Sequence, residues 1–166
     1  MVKKCSVWLL TASLLYVLQS SFFSRIAWHG FAPDLILLFT VSFSFLYGSR
    51  FGVWMGFMVG LIMDLASGTF FGFNTFSKML TGYACGSFSK QVFKEQMILP
   101  MTAVSLASVG QYFLFIGLLL MMGYSIDVCA YLGRTFIPMI LMNIFPSLLV
   151  HFLVREVDAR LKEEKQ

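Results

Sequence analysis

Apolar residues run through this chain in six blocks, and polar residues collect at the joints between them. The blocks cover about residues 5–23, 34–47, 52–66, 74–88, 97–122 and 131–154. Runs of this kind predict helices that cross a membrane, since a span takes about 20 residues. The first block follows Lys3 and Lys4, which also fits the charged lead of a signal peptide. No small-x-small cleavage site closes it (Gln19-Ser20-Ser21-Phe22-Phe23), so it reads as a retained span. Pro33 and Asp34 suit the first turn of the second helix. The second and third blocks nearly touch, which predicts a tight helical hairpin turning at 48–52 with Arg50 at the water boundary. A re-entrant loop is the alternative. Asn74 is placed to cap the fourth helix. The stretch 90–96 is a charged break, Pro138 and Pro146 predict kinks in the sixth helix, and 155–166 reads as a short charged helix or tail.

Within the third block the polar pattern has a period of four. Gly48, Gly52, Gly56 and Gly60 are followed at the next steps by Asp64 and Gly68. A four-residue step advances a helix by about 400°, so these positions form one slowly spiralling stripe. A face without side chains lets a second backbone come close, as in small-xxx-small contacts between membrane helices. The stripe therefore predicts either packing inside the bundle or docking of a partner's helix. Gly52 and Gly56, beside the hairpin turn, fit internal packing. Gly60, Asp64 and Gly68, at the far end, fit partner contact.

Composition turns these blocks into a class. The chain has 166 residues, 58% of them hydrophobic and 12% charged, with a mean hydropathy of +0.82. Soluble domains carry about 25% charged residues. This composition predicts an all-α polytopic membrane protein forming one six-helix domain over residues 1–166, with no room for a soluble catalytic domain. The net charge of +4 is not a nucleic-acid footprint, because the positive residues sit in the joints. With six spans, Lys3, Lys4, Arg50, Lys90, Lys94, Arg155, Arg160, Lys162 and Lys165 share the side of the termini, and Arg25 alone lies in an opposite loop. That asymmetry predicts cytoplasmic termini.

Four ionisable residues then fall at similar depth in the outer half: Asp34, Asp64, Lys78 and Arg134. Charges at that depth usually face the bundle and pair. Asp64 with Lys78 is the most economical pair, since consecutive helices are usually neighbours. The cluster can act as an ion pair that fixes helix register, can snorkel to the interface, or can line an outward cavity. Cys5, Cys85 and Cys129 lie at different depths, which argues against a shared metal site or disulfide. His29 and His151 are near opposite boundaries. There is no G-x-S-x-G, H-E-x-x-H or G-x-x-x-x-G-K motif. These residues predict a non-enzyme without cofactor or metal.

The run Pro33-Asp34-L-I-L-L-F, then Gly48-S-R-F-Gly52, then Gly56-F-M-V-Gly60-L-I-M-Asp64-L-A-S-Gly68, then Gly72-F-Asn74 resembles the bacterial rod-shape-determining protein MreD family. The likeness is most specific over residues 33–86, and the length and six spans are similar along nearly the whole chain. The resemblance implies a multi-pass protein of the bacterial inner membrane in the cell-wall elongation machinery. It implies association with the membrane-anchored protein MreC, and through it with MreB and the RodA/PBP2 synthase. It also implies a fold similar to the substrate-binding S components of energy-coupling-factor vitamin transporters. Two functions follow as expectations: a membrane scaffold that receives a partner's helix and helps to position peptidoglycan synthesis, or a substrate-capture subunit for a small solute. The second would need a separate ATPase. Membrane lipid is a partner in both, and nucleic acid in neither.

Overall fold

The computed structural model describes residues 2–25, 27, 32–68, 70–89, 98–125 and 128–163. Among them are six α-helices, one short 3-10 turn at Phe23–Arg25, and no strands. The helices are α1 (Val2–Ser21), α2 (Leu35–Tyr47), α3 (Ser49–Ser67), α4 (Phe73–Phe88), α5 (Ile98–Met121) and α6 (Val128–Glu163). Among the described residues three stretches are long and apolar enough to cross a membrane: Ser49–Ser67, Met101–Met121 and Pro138–Glu163. Cys5–Ser21 and Leu35–Tyr47 are apolar but shorter. The expected break near residue 154 is absent. α6 continues to Glu163, so the charged tail extends the same helix, and both Pro138 and Pro146 lie inside it.

The centre of the molecule is α2. Every residue from Leu35 to Ser44 is buried, and α2 packs against all five other helices. A helix that is apolar all round has no solvent face to offer, so the middle is its place. Thr40 and Ser44 fit there because their hydroxyls donate to the Ile36 and Thr40 carbonyls, at 2.8 and 2.6 Å. Trp8 of α1 lies against Phe39, Phe43 and Tyr47, with ring centroids 6.1, 5.2 and 5.9 Å away. At that end the Tyr47 hydroxyl donates to Asp158 of α6, and Lys162 also pairs with Asp158. The extension of α6 is thereby tied to the end of α2.

The hairpin between α2 and α3 turns on one residue. Gly48 takes φ 84°, a conformation that costs little only without a Cβ, and α3 starts at Ser49. Chain reversal over so short a link sends α3 back along α2. The glycine stripe of α3 is then covered by α4. A Cβ on Gly52 would sit 2.6 Å from the Gly82 carbonyl oxygen, one on Gly56 2.7 Å from the Lys78 carbonyl carbon, and one on Gly60 2.8 Å from the Asn74 carbonyl oxygen. The partners descend as the stripe ascends, as antiparallel helices require. Gly82 and Gly86 reciprocate from α4, against Gly52 and Ser49. Backbones this close give dense van der Waals contact where lipid removes any hydrophobic drive to associate.

Candidate functional site

The polar cluster lies at the end of the bundle where α2 and α4 begin. Asp34 caps α2, its Oδ1 accepting from the Leu37 amide at 2.9 Å. Its Oδ2 accepts from the Lys78 ammonium and from Gln111 Nε2, the latter at 3.1 Å. Lys78 also donates to Gln111 Oε1 at 2.8 Å. The three side chains close a triangle between α2, α4 and α5. Lys78 is 0% exposed, so its charge is held by that triangle and not by water. From α6, Asn143 accepts from the Asp34 backbone amide at 2.8 Å and donates to Ser108 of α5, also at 2.8 Å. Gln19 of α1 accepts from the Ile36 amide at 3.3 Å.

Asp64 does not pair with Lys78, contrary to expectation. Its carboxylate accepts from the backbone amides of Gly72, Asn74 and Thr75, each at 3.0 Å, and from the Thr75 hydroxyl at 2.5 Å. An acid at the end of α3 thus caps the start of α4, where unpaired amides and the helix dipole favour a negative group. With its oxygens saturated there, Asp64 has nothing left for Lys78, which lies a turn deeper and reaches across to Asp34. Gly72, at φ 93°, supplies the left-handed turn that aims its amide at Asp64. Gly68 ends α3 at φ 61°, with open space where a Cβ would stand. Arg134 belongs to α6, but its side chain lies outside the described residues.

Sequence reasoning placed Asp34, Asp64 and Lys78 at one depth and missed the amides that join them. Gln111, Asn143 and Ser108 interrupt apolar blocks, Gln19 stands beside Ser20 and Ser21 at the end of the first block, and polar residues within spans are themselves a signal. Gln19, Ser108, Gln111 and Asn143 line a cavity of about 310 Å³ together with Asp34, Asn74 and a wall of Phe73, Phe115 and Met139. A second hollow, about 730 Å³, is an apolar groove between α4 and α5. It extends from Phe73 to Phe88 along α4 and from Met121 to Ala103 along α5. Gly110 and Gly117 face open space, unlike Gly52, Gly56 and Gly60. Among the described residues no three His, Cys, Asp or Glu side chains converge on a metal site, and Cys5 and Cys85 are free.

A helical bundle with three helices long and apolar enough to cross a membrane, an α3–α4 contact packed through glycine faces and a buried lysine paired inside has the make-up of a helical membrane protein. A family model described as rod shape-determining protein MreD matches residues 2–157, and the chain belongs to that family. Its role is therefore in rod-shape determination. Neither the comparison with curated proteins nor that with solved structures gives a match, so the likeness to S components rests on the resemblance alone.

Proposed function

We propose that the chain is a non-enzymatic scaffold of the cell-wall elongation complex, receiving the transmembrane helix of an MreC-like protein in the groove between α4 and α5. Through that partner it communicates with MreB and the RodA/PBP2 synthase. All six helices cross or fill the inner membrane in this reading, with both termini cytoplasmic. The observation that supports it is the groove: apolar, open, and as long as α4, whose 16 residues rise about 24 Å at 1.5 Å each. A hollow of that length matches most of the bilayer core and suits a helix lying alongside. Gly110 and Gly117 give the partner's backbone room that none of the described residues takes. The Gly60 part of the stripe, the surface expected from sequence to meet a partner, is covered by α4 and is no longer the proposed contact.

Gly110→Phe with Gly117→Phe tests the reading, because both side chains enter open space. The doubly substituted protein should accumulate and melt normally yet lose co-purification with MreC. Full retention of MreC by a normally folded double variant would remove the groove as its dock. Reporter fusions at Gly68 and Tyr124 should read external and at Gln166 internal; an external Gln166 would overturn the topology. The substrate-capture alternative would need a separate ATPase, and we do not adopt it as the function.

A further inference from the structure

The cavity beside Asp34 has walls of two kinds. The one carboxylate in the lining is spent: Asp34 holds bonds from Lys78, Gln111 and the Leu37 amide. Two donors remain unspent beside it, on Gln19 and Ser108. Gln19 accepts from the Ile36 amide and Ser108 from Asn143, but neither the Gln19 Nε2 hydrogens nor the Ser108 hydroxyl hydrogen has an acceptor among the described residues. Ser108 is 1% exposed, so its unspent donor lies in the interior. The same lining carries Phe73 and Phe115, edge to face at 5.6 Å, and Met139. The charges in this wall are already matched, Asp34 by Lys78, so an incoming ion would find no counter-charge.

From this arrangement we propose that the cavity is a binding site for a small uncharged molecule. The ligand presents a carbonyl-type acceptor to Gln19 and Ser108 and an apolar or aromatic face to Phe73, Phe115 and Met139. A volume of about 310 Å³ lies at the lower end of ligand-pocket sizes, and a few placed polar groups in a mainly apolar wall are the usual composition of such sites. The inference concerns binding alone and does not rest on a partner in the groove between α4 and α5, with which the cavity shares Phe73 and Gln111.

Three probes of one shape and different charge decide it: benzamide (neutral, with a carbonyl acceptor), benzoate (anionic) and benzamidine (cationic, donors only). Saturation-transfer NMR on the full chain in lauryl maltoside reads binding, with empty micelles as the blank. Benzamide should bind in the millimolar range expected of so small a molecule. Benzoate and benzamidine should each bind at least about tenfold more weakly, since charge without a partner is costly to bury. Ala32→Phe puts bulk at the cavity wall and should abolish the benzamide signal with the melting temperature unchanged. Ser108→Ala removes one donor and should weaken benzamide about fivefold. No benzamide signal above the micelle blank would overturn the proposal, leaving a water-filled void. So would equal signals from the three probes, or an undiminished signal in a folded Ala32→Phe protein. Should Ala32→Phe not fold, an undiminished affinity in Ser108→Ala is sufficient to overturn it.

Discussion

Lys78 is a fully buried cation that depends on Asp34, and a mutant cycle between them measures that dependence. Lys78→Met keeps the aliphatic length and removes the ammonium, leaving the Asp34 carboxylate with Gln111 and the Leu37 amide but no counter-charge. Breaking a buried pair from one side costs about 3–5 kcal/mol, because a charge is stranded away from water. Asp34→Asn strands the lysine in turn, while keeping an oxygen to cap α2, for which Asn is as good as Asp. In the double variant no charge is stranded, and the side-chain amide introduced in place of the Asp34 carboxylate can donate to the Gln111 oxygen that Lys78 vacated. The double variant should therefore be more stable than either single one. Melting can be followed by thiol labelling of Cys85, which is buried and reacts on unfolding, in a background with Cys5 and Cys129 replaced by Ser. At about 2–4 °C per kcal/mol for a chain of this size, each single change should lower the transition by roughly 6–20 °C. The same cycle between Lys78 and Asp64 should show no such rescue, since Asp64 is engaged with the start of α4. Additive losses for Asp34 and Lys78, or rescue of Lys78→Met by a change at Asp64, would refute the assignment of partners.

Gly56→Ala should destabilise by about 3 kcal/mol, the upper part of the overpacking range, because the new methyl meets the rigid backbone at Lys78; an unchanged melting temperature would mean that α3 and α4 are not in contact there. Asp64→Ala should leave the amides of Gly72, Asn74 and Thr75 without an acceptor and cost about 2–3 kcal/mol. Hydrogen exchange at those amides should accelerate, and unchanged protection would argue against the cap. Tyr47→Phe should cost about 1.5–3 kcal/mol, as for a bond to a charged group, and should expose Arg160 and Lys162 to faster tryptic cleavage by releasing the end of α6. Identical cleavage rates in the two proteins would remove the tie between α2 and α6.

The order and type of the helices were legible because each apolar block is bounded by residues with a physical reason to end it. Gly48 takes a positive φ and Gly68 closes α3, whereas Asn74, expected to cap α4, lies inside that helix, whose N-cap is Gly72 at φ 93° with Asp64 binding the first amides in place of a side-chain cap. The internal use of Gly52 and Gly56 was legible for the same reason: removing side chains at a step of four is a statement about one face. What that face meets was not legible along its whole length. Gly60 and Asp64 carry the same signature as a docking stripe, and only the antiparallel return of α4 determines that they are covered. The pairing of charges failed for a related reason. Sequence gives depth along a helix but not azimuth, and adjacency along the chain favoured Asp64 over Asp34 as the partner of Lys78. The deciding fact is local: the loop through Gly72 presents three amides to Asp64, and amides bound by a carboxylate leave it no capacity for a lysine one turn further on.

The central position of α2 joins these contacts into one arrangement. Its 13 residues rise only about 20 Å at 1.5 Å each, too little to span the hydrocarbon unaided. A short helix can be kept in the middle of a bundle if both ends are held by longer neighbours, and both are. At the start, Asp34 is bound by Lys78 of α4, Gln111 of α5 and Asn143 of α6. At the finish, Tyr47 is bound by Asp158 of the same α6, and Gly48 turns the chain directly into α3. α6 therefore touches both ends of α2, through Asn143 and Asp158, fifteen residues and about 22 Å apart along its axis. That spacing matches the length of α2, so the two helices act as a strut and its brace. A change that shortens the brace between those contacts should be felt at both ends. Deleting one helical turn, residues 148–151, would bring Asn143 and Asp158 about 6 Å closer while roughly preserving their faces. Hydrogen exchange should then rise either at the Asp34 amide or near Tyr47, since the two contacts can no longer be made together. Protection retained at both ends would show that α2 is held by its apolar surroundings alone and that the polar contacts only follow its position.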